Sequence, residues 1–530
     1  MDSSILLLCL VGLITHLPIL LDRGFYGDGW WYDWAVQQKR WDKLKTFFAE
    51  VGLHLNYYWI RSFYQIGGWN SFRGLAVGCL LIQSIAFSIS LSLLPGFPSA
   101  FVLPTALLFL LYPSDHSPLD VVVTTQYHLM QTFYWIGAAL LAYSINDPSN
   151  ITWRALALLF IGVSFHANSL LVFHYGILII YTGLCWLVIG SDIKEIISNT
   201  FEQWLIPIIF WIYKEKVTPR HGAYQNYNRI HLSISRIIFG IGSSFYYPYW
   251  KTFMQSIKDQ WSFPWGIFLV GSVWLVGIPL IKPIPYSSND YFGIALFIVG
   301  IFLTICGSTS YAVVGLTHPH EGIGTRYNLL LRAPFALGAI GILITISQHF
   351  FENRSEVFVS LWIGLALVLW IHWIMIYGCY FCHTSKYFRF LEILRSIPVS
   401  ERSEWVGIED HAEIPWVTCE KQDAYWTSII QSVWGKPAFA INGSIDNKSY
   451  KTLKDRWKAT TSGEFLGALP ETKKRINFEI KWKDLNMESA GAWRFALKGW
   501  KTVILRMFYR DKYPLLLEKD LSIKSSSFCE

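Results

Sequence analysis

Two adjacent stretches decide how this chain is read: "SILLLCLVGLITHLPILL", residues 4–21, and "FYGDGWWYDWAVQQKRW", residues 25–41. The first is long and apolar enough to cross a bilayer core, which takes about 20 residues. It has no basic leader and no small-residue cleavage site, so it reads as a retained helix. The second places two acids, Asp28 and Asp33, among tryptophans and tyrosines where that helix leaves the membrane. A carboxylate beside lipid is costly unless it reaches water or a partner. The simplest use for Asp28 is as N-cap of an amphipathic surface helix.

The rest of the chain repeats the first signal. Apolar runs recur near 4–21, 74–94, 98–112, 129–145, 153–170, 172–190, 203–213, 264–282, 290–308, 328–349 and 356–380. The stretch 230–250 is amphipathic and suits either the interface or a crossing. Only 15% of the 530 residues are charged, against about 25% in soluble domains. The expected fold is an α-helical polytopic membrane protein with ten to twelve spans and a small mixed C-terminal extramembrane domain. Residues 1–383 form the transmembrane part, with a long first loop at 22–73, and residues 384–530 form the tail. The tail carries 24 Lys and Arg against 19 Asp and Glu, and its tryptophans suggest a folded unit rather than disorder.

The net charge of +7 bears on orientation and anionic lipid contact, not on nucleic acid. By the positive-inside rule the seven basic residues of the 22–73 loop place it in the cytoplasm, whereas a role in holding a phosphate-bearing substrate would place it on the opposite side. The eight cysteines are scattered and form no disulfide framework. No phosphate-binding loop or nucleotide fingerprint occurs, which argues against an ATP-driven pump. Acids in mid-span, the mark of a transporter, are nearly lacking.

The first loop resembles that of polytopic GT-C glycosyltransferases, which use lipid-phosphate-linked sugars. The family's acid after the first helix, then a Tyr and a small residue, match Asp28, Tyr32 and Ala35. Its His-Pro-Pro-Leu-Tyr-Tyr element matches His54 to Tyr58, with Leu55 and Asn56 in place of the prolines. A Gly before a closing Arg matches Gly67 or Gly68 and Arg73; the family's second acid beside the first is Gly29 here. Far along, "TRYNLLLRAPFALGAIG", residues 325–341, is similar to the family's Arg-Tyr start of a late helix.

The resemblance implies transfer of a sugar from a polyprenyl-phosphate donor to an acceptor hydroxyl with inversion. Asp28 would be the base, with Asp33 second. A further acid from the next outer loop would be Asp115 or Asp120, in "YPSDHSPLD", residues 112–120. Arg326 and Tyr327, with Arg220 and His221, would hold the donor phosphate. No cofactor is expected, though the acids are compatible with a divalent metal. His318, His320 and Glu321 also offer metal-ligating side chains, without a standard zinc spacing.

A second reading competes: a membrane subunit of a larger complex, possibly electron-transferring. It rests on "CYFCH", where Cys379, Cys382 and His383 spell the pattern for covalent haem c attachment. The motif ends a long apolar run, so two juxtamembrane thiols, open to lipidation, are the plainer alternative.

Overall fold

The computed structural model describes residues 3–147, 150–166, 170–222, 225, 230, 233–261, 291–351, 355–417, 423–435, 438–442, 475–483, 491–508 and 520–528. Among them, six helical segments are long and apolar enough to cross a membrane: Ser3–Leu20, His54–Ser92, Leu170–Ile189, Phe292–Ala312, Gly324–Phe350 and Ser355–Ser396. The chain is therefore an integral membrane protein by helix length and composition. Among the described residues, ten to twelve spans are not confirmed. The apolar helices Ser99–Leu110 and Ile151–Ser164 are too short to cross unaided. Val121–Asn146 is long enough but less apolar than those six, and it buries Thr124, Thr125, Gln126, His128, Gln131 and Thr132 inside the protein. The run at 264–282 lies outside the described residues.

The first span ends where Pro18 enters a 3₁₀ turn, Leu17–Leu20. Just before it, His16 is fully buried, with Nδ1 2.7 Å from the Tyr377 hydroxyl. Just after it, Asp22 is buried and accepts from the Gly24 N–H (2.9 Å), the Tyr26 hydroxyl (2.7 Å) and the Thr384 hydroxyl (2.9 Å). The start of the chain is thus fastened to the last long helix. Burial still pushes the Asp22 carboxyl up, and the three donors oppose that.

The first loop holds two short helices, Gly29–Gln37 and Trp41–Glu50. Every residue from Gly29 to Val36 is buried. A surface helix normally hides one stripe; this one is covered on both sides. The bundle lies against one side, since a methyl group on Gly29 would stand 3.6 Å from Val122. The tail helix Asp423–Trp434 covers the other, with Tyr425 reaching Asp28. The next helix, His54–Ser92, is two segments joined at a kink, where Gly68 takes φ +59°, a conformation open to glycine.

The tail adds a four-stranded sheet ordered β2-β1-β3-β4, with β1 Trp405–Asp410, β2 Phe439–Asn442, β3 Arg475–Trp482 and β4 Leu521–Phe528. β1 is parallel to β2 and β3, and β4 is antiparallel to β3. Helix Asp423–Trp434 is the crossover that a parallel β1–β2 pair requires. The last long helix, Ser355–Ser396, runs 42 residues. At about 1.5 Å per residue it is roughly twice as long as a bilayer core is thick, so it continues past residue 383 into the tail. There Lys386 Nζ meets Asp410 at 2.8 Å, with both side chains buried.

Asp33 holds the loop together. Its Oδ1 accepts from Trp69 Nε1 at 2.8 Å and its Oδ2 from Gln37 Nε2 at 2.6 Å. Burial pushes this carboxyl up to about 6, against both hydrogen bonds. Between about 4 and about 6 the folded protein binds a proton that the unfolded chain has released, so stability falls as pH rises through that window. Asp33→Asn keeps an acceptor for Trp69 and removes the titration. Thermal unfolding in detergent should then lose a pH-dependent decline worth about 3 kcal/mol; an unchanged decline would assign it to another group.

Candidate functional site

Two helices begin close together. Asp28 precedes Gly29–Gln37 and Asp120 precedes Val121–Asn146, yet neither side chain caps its helix. The N-cap expectation for Asp28 is therefore corrected. Its Oδ1 accepts instead from the Tyr425 hydroxyl at 2.9 Å. Asp120 packs against the turn that Asp28 leads, since a methyl group on Gly29 would lie 3.5 Å from Asp120 Oδ1. The Gly29 that replaces the resembled family's second acid thus has an acid beside it in space.

Asp120 is 1% exposed, and among the described residues neither carboxylate oxygen has a hydrogen-bond partner. Burial pushes it well above the ordinary carboxyl range, Arg326 pulls it down and Asp28 pushes it up. Arg326 feels Tyr327, Asp28 and Tyr127, and its guanidinium lies 5.4 Å from the centre of the Tyr327 ring. Asp28, Arg326 and Tyr327 are half-buried. Two carboxylates, one guanidinium and three phenols (Tyr127, Tyr327, Tyr425) therefore share one small region.

A buried polar zipper sets this arrangement. The loop 112–120 is tied three times to the turn Ile323–Leu331 and to Arg332, the first residue of the helix that follows it. The His116 N–H donates to Thr325 Oγ1 at 2.9 Å, Asn328 Nδ2 to Ser114 O at 2.7 Å, and Arg332 Nε to Asp115 Oδ2 at 2.9 Å. The tail adds a fourth tie, from the Gly322 N–H to Trp416 O at 3.1 Å. Trp416 takes φ +66°, rare for a side chain of its size, and its Nε1 donates to Asp259 at 2.8 Å.

Other expected residues fall elsewhere. Asp33 is occupied by Trp69 and Gln37. Asp115 is fully buried in its ion pair with Arg332; burial alone would raise it, but Arg332 and the His128 and Ser117 side chains hold it below the ordinary range. Arg220 and His221 stand apart, against Gly52 and Glu50. His318 bonds Asn328, and no metal group forms at His318, His320 and Glu321. Among the described residues, only Glu409, His411 and Glu479 bring three ligand atoms within 4.8 Å of one another. They lie on and beside the tail sheet, and Lys481 already bonds Glu479 at 2.6 Å.

The Cys379, Cys382 and His383 motif does not fit haem. It sits inside helix Ser355–Ser396 rather than at its end. Tail helix Ala492–Phe508 packs directly on it: Cys379 Sγ donates to Ala492 O at 3.4 Å, and a methyl group on Gly378 would stand 2.5 Å from Ala496 O. That backbone-to-backbone contact leaves no space for a porphyrin. Both thiols are at most 1% exposed, which also removes them as open lipidation sites.

Arg332, Asp22, Tyr127 and Tyr425 were not selected from sequence. Arg332 carried one signal, a second arginine within the late element. Comparison with family models and with curated protein sequences finds no match.

The Asp115–Arg332 pair is structural in this arrangement. Arg332→Leu leaves a buried charge unpaired and should cost about 3–5 kcal/mol. Adding Asp115→Asn should recover much of that loss in thermal unfolding. A double variant as unstable as the sum of the two single ones would show that the groups are not coupled.

Proposed function

We propose that the protein is a membrane glycosyltransferase of the GT-C kind, moving a sugar from a polyprenyl-phosphate donor to an acceptor hydroxyl with inversion. One observation carries the reading. Asp28, Asp120 and Arg326 come from three distant parts of the chain and meet in one electrostatic cluster at the foot of the first loop.

The chemistry follows from the roles these groups can fill. Asp28, half-buried and already accepting from a hydroxyl at 2.9 Å, is placed to take the proton of an acceptor hydroxyl. That oxygen attacks the anomeric carbon from the face opposite the phosphate. The bond from the anomeric carbon to the phosphate oxygen breaks, and its electron pair leaves with the polyprenyl phosphate. Arg326 and the Tyr327 hydroxyl stabilise the charge that develops there. Asp120, whose burial favours its neutral form, adds no second negative charge beside the base. The Tyr425 hydroxyl occupies the place on Asp28 that the acceptor would take.

The test is transfer from a set of polyprenyl-phosphate sugars by the full chain in liposomes. Asp28→Asn should lower turnover by about 10²-fold or more and leave the unfolding temperature unchanged. Asp33→Asn should keep most of the activity. Full turnover by Asp28→Asn would remove the base and, with it, this mechanism.

A further inference from the structure

Helix Ala492–Phe508 of the tail has two unlike faces. One packs on the last long helix through small residues: a methyl group on Gly499 would collide with the Gly378 carbonyl. The opposite face is exposed. Leu497 and Met507 are more than half exposed and Ile504 nearly half, beside the exposed Arg494 and Lys501.

These residues sort by angle. Trp493, Leu497, Trp500, Ile504 and Met507 follow one another at alternating steps of four and three, which at about 100° per residue makes one stripe. Arg494, Lys498 and Lys501 make the stripe next to it, and Lys498 pairs with Asp520 at 2.9 Å. Trp493 and Trp500 are half-buried, and Trp500 Nε1 donates to Ile374 O at 2.8 Å.

The first span fixes the height of this helix. That span ends at Leu20, and just past it Asp22 meets Thr384 of the last helix at 2.9 Å. Inside the span, His16 meets Tyr377 at 2.7 Å. The membrane boundary on the last helix therefore lies near residues 380–384. Ile374, where Trp500 is fastened, comes ten residues before Thr384, about 15 Å toward the bilayer. At the far end of the tail helix, Arg506 shares electrostatic range of Arg73 with Asp22 and Arg23. Both ends thus stand near the boundary, and the helix lies along it. A helix placed there sinks its apolar stripe into the acyl edge and turns its cations to headgroups. Tryptophan is favoured at that depth, and a negative lipid surface complements the basic stripe.

We propose that helix Ala492–Phe508 docks on an anionic lipid surface beside the last span, with Leu497, Ile504 and Met507 in the acyl edge and Arg494 and Lys501 among the headgroups. The tail is then seated on the membrane by a surface of its own. This surface does not depend on the transfer reading.

The test uses the purified full chain in liposomes of mixed phosphatidylcholine and phosphatidylglycerol. The photo-crosslinker benzoylphenylalanine replaces Ile504 or, for reference, Val399, which is 70% exposed and lies past the end of the last helix. Irradiation should attach about tenfold more lipid at position 504 than at 399, read by mass spectrometry of the protein. Phosphatidylglycerol should exceed its bulk share in those adducts by about threefold. Arg494→Gln combined with Lys501→Gln should return it to the bulk share, with the unfolding temperature unchanged. Equal lipid attachment at the two positions would overturn the docking. So would attachment of a second copy of the chain at 504 in place of lipid. Lipid adducts at 504 with phosphatidylglycerol only at its bulk share would overturn the anionic assignment.

Discussion

A carboxylate at a membrane boundary needs either donors or a cation, and that constraint organises this protein. Asp22 has three donors, Asp33 has Trp69 and Gln37, and Asp115 has Arg332. Each of these acids ties a loop to a helix far away in sequence, and each is fully engaged in doing so. Asp120 and Asp28 differ. Among the described residues the Asp120 carboxylate oxygens have no hydrogen-bond partner, and Asp28 accepts from the Tyr425 hydroxyl within reach of the Arg326 charge. The five acids thus divide into three that hold the scaffold and two, Asp28 and Asp120, that act on Arg326.

The tail is part of this arrangement and not an appendage. Tyr425 reaches Asp28, Trp416 anchors the turn that carries Arg326, and Lys386 pairs with Asp410. The first loop, the late Arg-Tyr turn and the tail therefore share one face of the bundle. Helix Gly29–Gln37 is buried on both sides because it is the layer between membrane helices and tail. Its tryptophans and tyrosines are core residues, which explains why so many rings surround two acids.

Much of this was legible in the sequence because it lies in local pattern. The first span, the helical first loop and the late Arg-Tyr element follow from apolar runs and short motifs. Asp28, Asp120 and Arg326 could be selected, but their meeting could not, since it depends on the pairing of loop 112–120 with turn 323–331. Arg332 and Asp115 are 217 residues apart, and nothing near either one announces the pair. Tyr425 sits in an ordinary amphipathic helix and gives no local sign of its role. The runs at 98–112 and 153–170 are longer than the helices within them, which stop at Leu110 and Ser164. The haem pattern misled because residues three and four apart share a helix face, and here that face packs on a neighbouring helix.

The central claim is that Arg326 and its neighbours hold a polyprenyl phosphate. The most direct measurement is mass spectrometry of the lipids that remain with the purified protein, for the wild type and for Arg326→Gln. The account predicts polyprenyl phosphate with the wild type and its loss from Arg326→Gln, with both proteins equally folded. Equal retention by the two proteins, or none by the wild type after purification with added polyprenyl phosphate, would contradict it.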